Sequence, residues 1–193
     1  MHEKDQHEHH HEHQWDEASY ERIGEMREKL IDMDRLISFM KIKRDETIID
    51  VGSGDGYYSI KFSKYCKNVV SLDKSKSGNE LEKRKIENER VKNVVPLIMD
   101  ICESQDLPVG DRIFFSTSFH DFPCKEEIVK KFTEGTKPYF TLIEFKKDSE
   151  MGPPKSLKLS PQDIENIFQK FNYEMSDIIF FREHYAVTYI HKN

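Results

Sequence analysis

A glycine-rich segment constrains the fold of this chain more than any other feature. It reads Ile48-Ile49-Asp50-Val51-Gly52-Ser53-Gly54-Asp55-Gly56-Tyr57, which predicts a buried strand, a tight turn and then a helix. Glycines let the backbone turn sharply and let a ligand lie directly against main-chain atoms. A dinucleotide-binding loop usually has the spacing GxGxxG, whereas this one has GxGxG with Asp50 before it. That acid repels a diphosphate and suits a ligand with a cationic amino group.

Short apolar runs alternate with helix-like stretches along the rest of the chain. The predicted strands cover residues 47–51, 69–72, 94–99, 112–117 and 140–145, and the predicted helices between them cover 57–65, 80–90 and 124–132. This rhythm is typical of buried parallel strands joined by crossover helices. We therefore expect an α/β fold of the Rossmann-like, doubly wound type, with helices on both faces of the sheet.

Further elements are predicted before and after this pattern. From Asp16, a plausible N-cap, apolar residues recur every three or four positions as far as Met40, which predicts one helix that ends near Arg44. Ser160-Pro161 begins another helix. The strands predicted at residues 175–181 and 185–191 are separated by only a few residues, so they must form an antiparallel hairpin.

The first fifteen residues differ in composition from the rest. Residues 1–15 are predicted to be a flexible tail, because up to Gln14 they contain nothing apolar beyond Met1, and residues 16–193 are predicted to form one domain. The tail holds the six histidines His2, His7, His9, His10, His11 and His13. Imidazoles at this density favour weak binding of a divalent metal ion, while the alternative is a plain solvated tail. No catalytic metal is expected.

Charge and cysteine content limit the classes of function. The formal net charge is −6, of which residues 1–16 carry −4, so the rest of the chain is nearly neutral and lacks the basic field of a general nucleic-acid binder. No apolar run approaches the roughly 18 residues that a membrane span needs, which favours a cytoplasmic protein without membrane contact. The three cysteines Cys66, Cys102 and Cys124 are far apart and odd in number, so we expect no disulfide and a reducing compartment.

The pattern of one acid and three glycines, Asp50, Gly52, Gly54 and Gly56, resembles the first motif of class I S-adenosylmethionine-dependent methyltransferases. Within that class the chain resembles the type 11 group over most of residues 45–191. The resemblance implies a seven-stranded, mostly parallel sheet with a C-terminal antiparallel hairpin, and S-adenosyl-L-methionine as cofactor. It also implies methyl transfer to an acceptor, which we expect to be a small molecule.

The resemblance also assigns roles to individual cofactor-binding residues. Asp73, at the end of the second strand, would accept hydrogen bonds from the two ribose hydroxyls. Asp100 would contact the adenine amino group, with Ile101 against the adenine ring, and Thr117 would line the methionine part of the cofactor. Tyr20 is predicted to close over the cofactor, with a plain core aromatic as the alternative.

Two residues near strand ends are candidates for the chemistry. His120 follows the fourth strand, where open α/β sheets gather their sites, and is a candidate general base or a positioning histidine. Glu144, near the end of the fifth strand, would orient a substrate or pair with a nearby lysine.

A narrower resemblance comes from the stretches Lys146-Lys147-Asp148, Met151-Gly152-Pro153-Pro154 and Leu159-Ser160-Pro161. Together with the His-rich N-terminus, these resemble uncharacterised members of the type 11 group, which suggest no acceptor. Two other functions stay open: an inactive cofactor- or metal-binding scaffold with this fold, and a nicotinamide-dependent oxidoreductase, which the glycine spacing disfavours. The sequence predicts no oligomeric state.

Overall fold

The computed structural model describes residues 16–193. The tail predicted at residues 1–15, and its predicted metal binding, lie outside the described residues. The helices of the described part are α1 (Glu17–Leu30), α2 (Met33–Met40), α3 (Tyr57–Phe62), α4 (Lys76–Asn88), α5 (Lys125–Thr133) and α6 (Pro161–Phe168). The strands are β1 (Thr47–Val51), β2 (Asn68–Asp73), β3 (Val94–Ile98), β4 (Arg112–Ser116), β5 (Tyr139–Phe145), β6 (Tyr173–Phe180) and β7 (His184–His191). None of these helices is both long and apolar enough to cross a membrane.

The strands form one seven-stranded sheet in the order β3-β2-β1-β4-β5-β7-β6. Strands β1 to β5 pair in parallel, and β7 then runs antiparallel to both β5 and β6. The predicted α/β fold with a C-terminal antiparallel hairpin is therefore confirmed. Because the carboxyl ends of parallel strands meet at one edge, the loops that follow β1, β2, β3, β4 and β5 are gathered there.

Each face of the sheet has its own hydrophobic core. On one face, Ile49 of β1 belongs to a cluster that includes Ile128 of α5 and Phe168 of α6. On the other face, its neighbour Ile48 joins a cluster that includes Leu36 of α2. Successive side chains of a strand point to opposite faces, so a continuous apolar strand supplies both cores.

The prediction of one long N-terminal helix was wrong, because the structure has two. Helix α1 ends at Leu30, and Ile31 leaves the helical path with an extended backbone. The carboxylate of Asp32 then accepts the backbone N–H of Arg35 at 3.0 Å and begins α2 as its N-cap. An aspartate that caps in this way competes with the helical hydrogen bond, which periodicity alone does not reveal.

Candidate functional site

The glycine loop after β1 adopts a backbone that only glycine accepts easily. Gly52, Gly54 and Gly56 have φ angles of 72°, 59° and 74°. A Cβ on Gly52 would lie 2.6 Å from the Cβ of Ser118, and one on Gly54 would lie 3.0 Å from the Tyr20 ring. The loop therefore presents bare main chain beneath Tyr20, as a ligand cradle requires.

Asp73 ties the glycine loop to the end of β2. One carboxylate oxygen accepts the N–H of Gly54 at 2.7 Å, and the other accepts the N–H of Ser75 at 2.8 Å. These two bonds fix the carboxylate in the cavity wall and still leave acceptor positions, because a carboxylate has about four. It can therefore accept a pair of neighbouring hydroxyls from a ligand.

A group of buried acids lies behind the glycine loop. Asp50 is 2% exposed and accepts a hydrogen bond from the Ser59 hydroxyl at 2.6 Å. Burial raises its pKa to about 6. Asp55 pairs with Lys85 and, at 3.7 Å, with Arg27. Because Asp50 faces the inside of the fold, the structure does not bring it into the wall of the cavity.

Glu82 is a buried acid that the sequence analysis did not predict as part of the site. It lies on α4 under Gly56, where a Cβ would collide with its side chain. Burial raises its pKa to about 8, and its Oε1 has no hydrogen-bond partner among the described residues. The predicted helix at 80–90 contains few apolar residues because its inner face packs polar side chains against this loop.

The residues predicted at the adenine and methionine positions lie in the same cavity wall. Ile101 is 2% exposed and lies beside Asp100, whose carboxylate accepts the N–H of Cys102 at 3.0 Å. Thr117 follows β4 with a φ of 51°, a left-handed conformation that a β-branched residue rarely adopts. Such strain persists only where the surrounding structure imposes it, and it concentrates at functional sites.

His120 and Glu144 form a buried pair on the other side of the cavity. His120 Nδ1 lies 2.7 Å from Glu144 Oε2, and Glu144 Oε1 accepts the His120 backbone N–H at 3.1 Å. Burial by itself lowers the pKa of His120, but the hydrogen bond and charge of Glu144 outweigh burial and raise it. Glu144 is fully buried, so it orients the imidazole rather than touching the cavity.

The second ring nitrogen of His120 points to an exposed acid. His120 Nε2 lies 3.3 Å from Asp121 Oδ1, and the Asp121 side chain is 67% exposed. With both nitrogens facing carboxylates, the arrangement suits the charged imidazolium.

The wall at this side of the cavity includes residues that were not predicted as site residues, among them Phe145, Met151, Gly152 and His184. Phe145, at the end of β5, pairs in register with His184, the first residue of β7. Gly152 lies against the Phe145 ring with a φ of 82°. Met151, which precedes Gly152 in the same loop, also lines the cavity. The sequence pattern Met151-Gly152-Pro153 suggests no acceptor, and His184 carries no local signal because its position depends on the antiparallel pairing.

The expectation that the cysteines form no disulfide was wrong. Cys102 and Cys124 are bonded, and Cys66 is free and buried. Lys131 of α5 donates to the carbonyls of Cys102 and Ser104, at 3.2 and 2.8 Å, and so holds this helix against the segment after β3. This tertiary packing closes the gap of 22 residues between the two cysteines, and it removes the cysteine argument for a reducing compartment.

One cavity of about 1390 Å³ joins these regions. Its wall includes the predicted residues Tyr20, Gly52, Gly54, Asp73, Asp100, Ile101, Thr117 and His120. Asp50, Gly56 and Glu144 lie behind this wall. Pockets for a single ligand usually measure roughly 300–1,000 Å³, so this cavity has space for two ligands.

Comparison with known structures places the fold among methyltransferases. A methyltransferase from Aquifex aeolicus, described as dependent on S-adenosylmethionine, superposes with a TM-score of 0.80 at 20% identity, over 91% of this chain and 98% of that one. Magnesium protoporphyrin IX methyltransferase from Synechocystis PCC 6803, solved with S-adenosylmethionine bound, gives a TM-score of 0.67 at 14% identity, over 89% and 81% of the two chains. None of the curated proteins matches the sequence.

The sequence profile of one family matches most of the chain. Residues 8–137 match protein-L-isoaspartate(D-aspartate) O-methyltransferase. The bare glycine cradle and the fixed carboxylate of Asp73 fit S-adenosylmethionine, which is the cofactor. The chain therefore belongs to the protein-L-isoaspartate(D-aspartate) O-methyltransferase family.

Proposed function

We propose that the protein methylates a small molecule at an atom that must lose a proton, with His120 as general base and Glu144 as its positioning residue. The observation that carries this proposal is the His120 Nδ1 to Glu144 Oε2 contact of 2.7 Å in the wall of a two-ligand cavity. The narrower resemblance to the type 11 group stays a prediction.

The cofactor-binding roles of the predicted residues belong to this proposal. Gly52 and Gly54 would take the cofactor against their main chain, Asp73 would accept from the ribose hydroxyls, and Asp100 with Ile101 would hold the adenine. Thr117 and Tyr20 would enclose the remaining part of the cofactor. Asp50 would act from behind the loop, where its charge favours a cationic ligand.

In this proposal, the side chains of the protein align the acceptor, exclude water and take up one proton. When bound, S-adenosylmethionine would supply a methyl carbon on a sulfonium; the acceptor atom would bond to that carbon as the carbon–sulfur bond breaks, with S-adenosylhomocysteine as the leaving group. The chain aligns the acceptor and excludes water. Glu144 accepts the Nδ1–H of His120, so the Nε2 lone pair can take the proton that the acceptor atom loses.

This proton transfer separates the proposal from a second candidate. The family name describes methylation of isoaspartate in proteins, where a carboxylate is already ionised at neutral pH and needs no base. The family match also ends at residue 137, before Glu144, Phe145 and His184. Except for His120, the residues proposed for the acceptor side are therefore outside the match, which supports a different acceptor.

Methyl transfer to two acceptor sets tests the proposal. The full chain is incubated with methyl-labelled S-adenosylmethionine and either a panel of small phenols, amines and thiols or an isoaspartyl peptide. We expect label on a small molecule, about 10²- to 10⁴-fold less in His120→Ala, and no change in the control His191→Gln at the end of β7.

Other outcomes lead to different conclusions. Label on the peptide that survives His120→Ala would establish the second candidate. A thermal shift with S-adenosylmethionine but no labelled product would favour the inactive scaffold, and a shift with NAD alone would favour the oxidoreductase.

A further inference from the structure

Three rings form a continuous wall at the acceptor side of the cavity. The Phe145 ring lies in the middle, with its centroid 6.4 Å from that of His120 and 4.3 Å from that of His184. Both separations are those of ring contacts in proteins. We call this set of His120, Phe145 and His184 the aromatic wall.

His184 is a buried imidazole with one ring nitrogen that lacks a hydrogen-bond partner in the described part of the chain. It is 5% exposed, and its Nδ1 is enclosed with no hydrogen-bond partner among residues 16–193. Burial lowers its pKa to about 4, so the ring is neutral near pH 7. Its Nε2 is not enclosed in this way, and the residue lines the cavity.

The neutral ring must place its one proton on a nitrogen. An enclosed N–H without an acceptor is rarer and more costly than an enclosed lone pair. The proton therefore sits on Nε2, and His184 offers an N–H donor to whatever occupies the cavity. That donor fits a carbonyl, an ether or hydroxyl oxygen, or a ring nitrogen.

The charged groups close to the aromatic wall have partners in the described part of the chain. Beside His184, Lys146 donates to the carbonyl of Arg182 and Glu183 accepts from the Ser149 hydroxyl, both at 2.9 Å. Arg27 lies 3.7 Å from Asp55 and stacks over the rings of Tyr57 and Tyr58. Asp121 faces His120. The loop at Gly152 packs directly against the Phe145 ring, and both residues line the cavity beside His184. An uncharged, planar ligand suits this surface.

We infer that the acceptor is a small, uncharged aromatic or heteroaromatic compound that stacks on Phe145, with its reacting O–H or N–H toward His120 and a hydrogen-bond acceptor bound by His184. This inference rests on the proposed function and narrows its substrate class. It makes His184 a specificity-determining residue and Phe145 the stacking surface.

Paired probes test the inference on the full chain loaded with S-adenosylhomocysteine. The probes are 4-hydroxybenzaldehyde, its saturated counterpart 4-hydroxycyclohexanecarbaldehyde, and 4-methylphenol, which lacks the carbonyl. Their affinities are measured by NMR titration. We expect 4-hydroxybenzaldehyde to bind at least tenfold more tightly than the saturated compound, because only the planar ring stacks.

Two variants then separate the stacking from the hydrogen bond. His184→Phe keeps a ring but removes the N–H donor. The variant should therefore bind 4-hydroxybenzaldehyde about tenfold more weakly and bind 4-methylphenol with unchanged affinity. Phe145→Leu should lower the affinity for both aromatic probes, because it removes the stacking surface. Tyr139→Phe, at the opposite end of β5, is the control and should change neither.

The outcomes separate this inference from the proposed function. Equal affinity for planar and saturated probes, or a His184→Phe variant that discriminates as the wild type does, would overturn the inference while the proposed function stands. Failure of S-adenosylhomocysteine to bind would overturn both.

Discussion

The two sides of the cavity are built in different ways. On the cofactor side, main-chain groups of the glycine loop and the carboxylate of Asp73 form the surface, and buried acids lie behind it. On the acceptor side, the surface consists of the side chains of His120, Phe145 and His184, and Glu144 lies behind His120. The family match covers the first side and ends before most of the second. A ligand held by main chain depends mainly on the course of the backbone, whereas chemistry depends on individual side chains, so one fold can carry different reactions.

The largest expected effect concerns the acceptor side. His120→Ala should lower turnover about 10²- to 10⁴-fold and leave cofactor affinity within twofold, because the base touches only the acceptor. Glu144→Gln should also shift the acidic limb of the rate profile to lower pH, since the Glu144 charge raises the pKa of His120. Steady-state rates from pH 5 to 9, with calorimetry of S-adenosylhomocysteine binding, measure both.

An equal loss of cofactor binding and turnover would contradict the separation of the two sides. It would make His120 part of the cofactor site.

The buried acid behind the glycine loop should give the next effect. Above pH 4.5 the unfolded carboxyl of Glu82 is ionised, but the folded one stays protonated up to about pH 8, so the free energy of unfolding should fall as pH rises. Between pH 5 and pH 8, the free energy of unfolding should fall by about 3 kcal/mol less in Glu82→Gln than in the wild type. Urea unfolding at several pH values measures it.

Glu87→Gln on the same helix is the matched control, because Glu87 is exposed. If the two variants had the same pH dependence of stability, Glu82 would not be the titrating group. The buried Asp50 should still contribute a smaller fall at lower pH, up to its pKa of about 6.

The cofactor side should respond to Asp73→Ala. Loss of charge-assisted hydrogen bonds to a ligand should cost about 2 to 3 kcal/mol, which is about a 30- to 150-fold weaker affinity for S-adenosylmethionine. Turnover at saturating cofactor should change far less than in His120→Ala. Calorimetry on the variant and on the exposed control Asp106→Ala makes the comparison. Unchanged affinity would remove Asp73 from the site.

The smallest effect is expected from the N-terminus. Deletion of residues 1–14, with Trp15 and Tyr20 kept, should leave S-adenosylmethionine affinity within about twofold, or roughly 0.4 kcal/mol. The reason is that the residues which line the cavity in the described part begin at Asp16. A truncation that abolished binding, or a chelator that stopped turnover, would instead place the tail in the active site.

Local sequence patterns predicted the parts of this protein that depend on neighbouring residues. The turn at Gly52 to Gly56, the strand rhythm and the hairpin followed from spacing, and the structure confirms them. The first helix was wrong because Asp32 begins a second one. The disulfide was missed because its cysteines meet only through the packing of α5.

The sequence by itself determined the cofactor side, because acids and glycines at consecutive strand ends must meet at one edge of a parallel sheet. The tertiary structure alone decided the acceptor side. There, Glu144 and His120 meet across neighbouring strands, and His184 reaches Phe145 through an antiparallel pairing of residues far apart in the chain. Burial in the assembled fold also sets protonation states on both sides of the cavity, because it raises the pKa of Glu82 behind the glycine loop and lowers that of His184. Desolvation depends on every neighbour in space, which no local pattern specifies.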